Sequence, residues 1–207
     1  MIITHLGKQF FKIVQGDLTV AFNPISKDSK SSSGVSKFGC DIALSTTNHP
    51  DYNGFEMVAH GDKNPFEISG PGDYEIKDVL IKGVMTNSIV DNTKYINTIY
   101  SVNVENISIC FLGALTEDKI GPNVREQIVS PDVLFVPVNE KFLDPSLAYK
   151  LATTLEPKII IPMDYDEKTL KSFLKEAGQE KVEKIEKLTL KAKDLVGREG
   201  EIVLLDF

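Results

Sequence analysis

The sequence predicts an α/β fold in which two β-sheets pack face to face with helices outside. Three observations predict it. The first half reads as a series of short strands, and the second half alternates strand, helix and strand. No Pro- or Gly-rich linker separates the halves and no internal repeat is visible, so residues 1–207 read as a single domain.

The elements follow in order. "MIITHL", "FFKIVQ" and "LTVAFN" are short β-rich segments, with turns supplied by Gly7 and by Gly16-Asp17. "ISKDSKSSSGVSKFG" has no hydrophobic period and reads as a flexible loop. "CDIALS" is the next strand. Residues 54–90 read as a run of short strands, with turns at Gly70-Pro71-Gly72-Asp73 and Lys77-Asp78. "NTIYSVNVENISICFLG" is a hairpin, because apolar residues alternate in both arms around Glu105-Asn106. "DVLFVPV" and "KIIIPM" are nearly all apolar, as expected of strands covered on both faces. Between them "PSLAYKLATTL" is helical, with Leu147, Leu151 and Leu155 on one face beside Ala148 and Ala152. "DEKTLKSFLKEAG" places Leu170, Phe173, Leu174 and Ala177 at helical spacing and ends at Gly178. "KLTL" and "EIVLLDF" close the chain as strands.

Composition narrows the function. The net charge is −7, from 23 basic and 30 acidic residues. Nucleic acids and anionic membranes call for a basic surface, so neither is expected as a partner, although a local basic patch remains open. The N-terminus lacks the basic start and cleavage site of a signal peptide, and no apolar run is long enough to span a membrane. A cytoplasmic location is expected. Cys40 and Cys110, the only cysteines, each adjoin an apolar run and read as buried small hydrophobes in a reducing compartment.

Five phrases then stand in order: "ITHLGKQFFKI", "DIALSTTNHPDYN", "GPGDYEIKDVLIKG", "NTIYSVNVENISICFLGAL" and "LEPKIIIPMDY". Together they resemble the metallo-β-lactamase superfamily, in particular its small Zn-dependent hydrolase-like branch. The resemblance covers most of the chain. It implies a four-layer αβ/βα sandwich with metal-binding loops gathered at one edge of the two sheets. Active relatives carry H-x-H-x-D-H after the strand that "CDIALS" resembles. Imidazole suits zinc, and a zinc pair about 3.5–4 Å apart generates a hydroxide nucleophile and polarises the substrate.

In this chain the motif falls on Thr47, His49, Asp51 and Tyr52. The family's L-G-D, whose Asp bridges the metals, falls on Leu112-Gly113-Ala114; the late I-P-M-H falls on Ile161-Pro162-Met163-Asp164; the early G-H falls on Gly7-Lys8. The third histidine of the set is absent, because none follows His60 and the chain has only 3. A threonine, a tyrosine and a methyl group thus stand where the resemblance implies ligands.

Two functions follow as expectations. The first is a catalytically silent relative, kept as a binding or regulatory protein. Its former metal pocket, formed by Lys8, Thr47, Asn48, Tyr52 and Ala114, would hold a small polar or anionic ligand or a partner protein's loop. The alternative is a residual hydrolase of the phosphoester or lactone class. One divalent metal (zinc, manganese or iron) would sit on His49, Asp51 and Asp164, with Asp51 also orienting the attacking water. An RNA-processing nuclease of the same superfamily is disfavoured, since the chain is acidic and too short for the extra domain those enzymes carry. Homo-oligomerisation is left open.

Each candidate also has an ordinary structural reading. "NHPDYNG" is full of turn formers, and Asp51 could cap a turn. Asp164 could be a helix N-cap, with Glu167 three residues on. Lys8 could be a solvated lysine and Tyr52 a half-buried one. His5 lies in the first strand, His60 reads as exposed, and Gly70-Pro71-Gly72 reads as a turn rather than a phosphate loop.

Overall fold

The computed structural model describes residues 1–31, 34, 36–128 and 130–207. The chain runs β1 (Ile2–His5), β2 (Phe11–Gln15), β3 (Leu18–Phe22), β4 (Ile42–Leu44), β5 (Phe66–Ile68), β6 (Gly72–Ile76), β7 (Val79–Val90), β8 (Thr93–Val104) and β9 (Ile107–Phe111). There follow α1 (Pro122–Arg125), β10 (Val133–Pro137), α2 (Pro145–Thr154), β11 (Ile159–Met163) and α3 (Glu167–Glu176). The last strands are β12 (Lys184–Ile185), β13 (Leu188–Thr189), β14 (Glu201–Ile202) and β15 (Leu204–Leu205).

These strands build two large sheets, ordered β13-β1-β2-β3-β4-β5 and β14-β11-β10-β9-β8-β7-β6, with β12 and β15 as a separate pair. β1 to β3 form an antiparallel meander, and β3, β4 and β5 run parallel. In the second sheet β9, β10, β11 and β14 are parallel, and β6 to β9 are joined by hairpins. Each hairpin turns on two residues with positive φ: Lys77-Asp78, Asp91-Asn92 and Glu105-Asn106. That conformation matches the right-handed twist of the strands and suits Asn and Asp. β7 is one continuous strand of 12 residues where the sequence suggests shorter pieces.

The face shared by the sheets is apolar. Phe11, Phe22, Phe111 and Phe135 pack ring on ring at its centre, with centroids 4.7–6.4 Å apart. On the outside of the second sheet, Leu134, Val136 and Ile160 meet Leu151, Ala152 and Phe173 of α2 and α3. Cys110 belongs to this layer, and Cys40 to the opposite outer layer with Phe10, Ala21, Ile25, Ala43 and Val58. Phe38 and Phe55 of the segment 25–58, the latter in a 3₁₀ turn at Phe55–Met57, pack against that layer. The expected flexible loop lies in this segment; the described part of it holds no strand or helix, and residues 32, 33 and 35 fall outside the described residues. Burial drives both cysteine thiols up to about 12, so they stay protonated and inert at neutral pH.

Both long helices are capped at their N-termini. Asp144 accepts from the Ser146 and Leu147 amides at the start of α2, and Pro145 sits in the first turn. Asp166 accepts from the Thr169 amide, while the Thr169 hydroxyl accepts from the Asp166 amide. The cap of α3 is therefore Asp166 and not Asp164. Leu147 departs from its expected face and is 37% exposed, while Ala148, Leu151, Ala152 and Leu155 are buried. Among the described residues no helix is long and apolar enough to cross a membrane.

Candidate functional site

The ends of β3, β4, β9 and β11 and the β1–β2 turn all arrive at one edge of the sandwich. Beyond three of these strands the sequence changes from apolar to polar, with Asn23 after β3, Ser45 to Thr47 after β4 and Asp164 after β11; the turn carries Lys8 and Gln9, while β9 runs on into Leu112-Gly113-Ala114. Gln9, Asn23, Thr46 and Thr47 are nonetheless at most 2% exposed. Buried polar groups of this kind need partners, and here they have them. Asn23 Nδ2 donates to Gln9 Oε1 at 3.0 Å and to Thr46 Oγ1 at 2.9 Å, while the Thr46 amide donates to Asn23 Oδ1 at 2.8 Å. Asn97 of β8 makes four further bonds. Its Oδ1 accepts from the Thr47 hydroxyl at 3.2 Å and the Ala114 amide at 3.0 Å; its Nδ2 donates to Thr86 Oγ1 at 2.9 Å and Leu112 O at 3.0 Å.

Gly113 belongs to this scaffold. Its φ is +64°, and a Cβ there would lie 2.6 Å from both Asn97 Oδ1 and Thr46 Cβ. Only glycine lets the chain leave β9 so close to the Asn97 amide.

A cleft of about 590 Å³ opens above the scaffold, lined by Lys8, His49, Asp51, Tyr52 and Asp164 among others. Lys8 Nζ and Ser29 Oγ donate to the two different carboxylate oxygens of Asp51. Burial works to raise the Asp51 pKa, but those two hydrogen bonds and the Lys8 charge outweigh it and hold the carboxylate below its usual range. Asp164 Oδ2 accepts from Tyr52 Oη and from Gln9 Nε2, each at 3.2 Å. Desolvation dominates there and pushes its pKa up, against the Lys8 charge and the Gln9 and Tyr52 bonds. Tyr52 is 1% exposed; burial and then the Asp164 and Asp51 charges raise its pKa well above the usual phenol value. It is therefore a hydrogen-bond donor and not a phenolate.

The Asp51 amide donates to His49 Nδ1 at 3.2 Å, which turns His49 Nε2 towards Asp91 Oδ2, 3.9 Å away. The imidazole lies edge-on to Tyr95 with centroids 5.8 Å apart. Backbone strain collects at this edge: Lys8 (φ +49°), Asn23 (+45°) and Asp164 (+56°) adopt the left-handed conformation outside any two-residue hairpin turn. The Lys8 carbonyl accepts from the Asp164 amide at 3.1 Å and lies 2.9 Å from His5 Nε2, so the turn is tied down from two sides.

Of the residues singled out in the sequence, Lys8, His49, Asp51, Tyr52 and Asp164 line the cleft. Thr47 and Ala114 lie buried beneath it, where Ala114 packs with Tyr52 and Val90. Asn48 is exposed and accepts from Asn53 Nδ2 at 2.8 Å, so it takes no part. His60 is exposed; His5 is buried. Gln9, Asn23, Ser29 and Asn97 had drawn no notice in the sequence. For Asn97 a signal existed: Thr86, Ser88 and Asn97 are polar residues at inward positions of strands whose outward positions hold Met85, Ile89 and Ile96. Among the described residues, no three His, Cys, Asp or Glu side chains converge closely enough to hold a metal ion.

This architecture, two facing sheets with an irregular polar edge where strands end, is that of the metallo-β-lactamase superfamily. The family model described as the beta-lactamase superfamily domain matches residues 2–164, and the chain belongs to that family. Among solved structures it is similar to a Thermotoga maritima protein assigned as a Zn-dependent hydrolase of the metallo-β-lactamase superfamily. Identity is 27% over 99% of this chain and 97% of that one, with a TM-score of 0.78. A Parabacteroides distasonis protein assigned as a metal-dependent hydrolase (19% identity, 85% and 89% coverage, TM-score 0.65) and a metallo hydrolase from Ignicoccus hospitalis (18%, 92% and 99%, 0.61) share the fold. No curated protein matches the chain in sequence.

Proposed function

We propose that this chain is a catalytically silent member of its superfamily, acting as a binding or regulatory protein through the Asp51 cleft. One observation carries the reading: the Lys8 ammonium pairs with Asp51, the carboxylate that the family's motif gives to a metal. A fixed organic cation then takes the charge-balancing place of an inorganic one. The rest of the donor set agrees. Each Asp51 oxygen is held by a protonated donor, Lys8 Nζ or Ser29 Oγ, and Asp164 Oδ2 is held by the Tyr52 phenol and the Gln9 amide, so both carboxylates are organised by hydrogen-bond donors. Thr47 directs its hydroxyl into the Asn97 scaffold, and Ala114 offers only a methyl group. These residues do not fit a zinc pair. The cleft is lined by charges of both signs, Lys8, Lys30 and Lys141 against Asp28, Asp51, Asp91 and Asp164, which suits a small polar ligand or a partner's loop.

A second reading has its own support. His49, Asp51 and Asp164 line one cleft, and the Thermotoga relative is assigned as a Zn-dependent hydrolase. One divalent ion on these three side chains would give a hydrolase of the phosphoester or lactone class, with Asp51 orienting water. Elemental mass spectrometry after purification, and after incubation with zinc, manganese and iron, separates the two. The silent reading expects no stoichiometric metal and no turnover of phosphodiester, lactone or lactam substrates. About one ion per chain, lost on His49→Ala and on Asp164→Ala, overturns it in favour of the hydrolase.

A further inference from the structure

On the other side of the β1–β2 turn lies a larger cleft, of about 780 Å³, within the usual range for small-molecule sites. It is lined by Thr4 and Lys12, a cross-strand pair of the first sheet. Leu6, Ile25, Phe38 and Phe207 make its walls largely apolar. Lys8, Lys12, Lys37 and Asp164 also line it, but Lys8 Nζ is paired with Asp51 and Asp164 Oδ2 accepts from Tyr52 and Gln9, so the cations to consider here are Lys12 and Lys37. Lys184 and Asp206, nearby, face each other at 3.9 Å and add no net charge.

Lys12 and Lys37 are the informative pair. Among the described residues neither has a carboxylate within 4 Å, although the chain as a whole carries a net charge of −7. Lys12 is half-buried, and its ammonium is held 4.6 Å from the Phe38 ring centroid, which fixes a cation without neutralising it. Phe38 is held in turn by stacking on Phe10, with centroids 5.8 Å apart. An uncompensated, positioned cation beside apolar walls attracts a particular kind of molecule. Apolar surface rewards an apolar body, and the ammonium groups reward a negative head.

We infer that this second cleft binds a small soluble amphipathic anion, an apolar body bearing one phosphate or carboxylate head. The head sits between Lys12 and Lys37, and the body lies against Leu6, Ile25 and Phe38. The site is separate from the reading of the Asp51 cleft, because Lys12 and Lys37 line this cleft and not the other.

Isothermal titration calorimetry with octyl phosphate tests it, with inorganic phosphate and octanol as comparisons. Octyl phosphate is expected to bind one per chain, at least about tenfold more tightly than either fragment. Lys12→Gln with Lys37→Gln should weaken it about tenfold or more, whereas Lys150→Gln, on the exposed face of α2, should leave it unchanged. The inference is overturned by the absence of saturable binding, by inorganic phosphate binding equally well, or by binding indifferent to the double variant. Sedimentation with vesicles containing phosphatidylserine covers the remaining source of such a head: capture by vesicles without binding of octyl phosphate also overturns it.

Discussion

Between the sheets, Phe11, Phe22, Phe111 and Phe135 are each fully buried and pack on one another and on the aliphatic side chains around them, with the His5 ring stacked on Phe11 at the margin. Just beyond the ends of β3 and β4, and at the middle of β8, the interior is as dry but is built of Asn23, Thr46, Thr47 and Asn97. The aromatic region is held by contact area, which tolerates small shifts and is rewarded roughly in proportion to the surface buried. The polar edge is held by directional bonds, each of which must be met by a named partner. A mutation should thus act on the first through the volume it removes and on the second through the partners it strands.

The largest effect is expected in the aromatic region. Phe135→Ala empties the centre of the ring cluster and should cost about 3–5 kcal/mol in chemical denaturation. A loss below about 1 kcal/mol would mean that the two sheets close over the gap, and the contrast with the edge would fail. Next comes Asn97→Leu, which keeps volume but removes the side-chain partner of the Thr47 hydroxyl, the Ala114 amide and Leu112 O, while Thr86 Oγ1 keeps its bond to the Asn97 carbonyl. About 2–4 kcal/mol is expected, although an apolar side chain has been added to an interior. If Asn97→Leu is neutral or stabilising, the edge is ordinary core in polar dress.

The two regions also differ in how far the sequence reveals them. "DVLFVPV", "KIIIPM" and the alternation around Glu105-Asn106 disclose buried strands because burial and period are local properties, and β9, β10 and β11 lie where they point. Leu147 shows the limit: it has helical spacing with Leu151 and Leu155, but α2 turns it outwards, since the neighbouring sheet covers only part of the helix. The family motif brought Lys8, His49, Asp51, Tyr52 and Asp164 to notice, and all five line one cleft. It could not reveal Gln9, Asn23, Ser29 or Asn97, whose roles come from partners up to 155 residues away in the chain. Asp164 illustrates the same point. Three residues before α3 with an acidic residue following, it looks like a cap, but the chain turns at its positive φ and leaves capping to Asp166.

A smaller effect is expected at the mouth of the edge. Lys8→Met removes the ammonium from Asp51. The pair is partly solvated, with the Lys8 side chain 31% exposed, so about 1 kcal/mol or less is expected in stability. Burial then dominates at Asp51, and its pKa should move up. Elemental analysis of this variant sharpens the comparison further: metal taken up by Lys8→Met but not by the parent would show that the lysine stands in for an ion.

The smallest effect separates two carboxylates within the edge itself. Asp51 and Asp164 line the same cleft and both feel Lys8, yet their pKa values move oppositely from the ordinary 3.8. For Asp51 the folded value is lower, so its contribution to stability is complete above the unfolded value and is lost as pH falls through the folded one. For Asp164 the folded value is higher, so the folded state holds the proton more tightly. Its contribution is complete below the unfolded value and is lost as pH rises through the folded one. Carboxyl carbon shifts followed by NMR should show Asp164 protonating first as pH is lowered and Asp51 last. Denaturation against pH should agree. Asp164→Asn should remove a loss of stability that sets in above 3.8, and Asp51→Asn one that sets in below it. Should the two groups titrate together, Lys8 does not favour Asp51 over Asp164, and its place as the partner of one carboxylate would have to be given up.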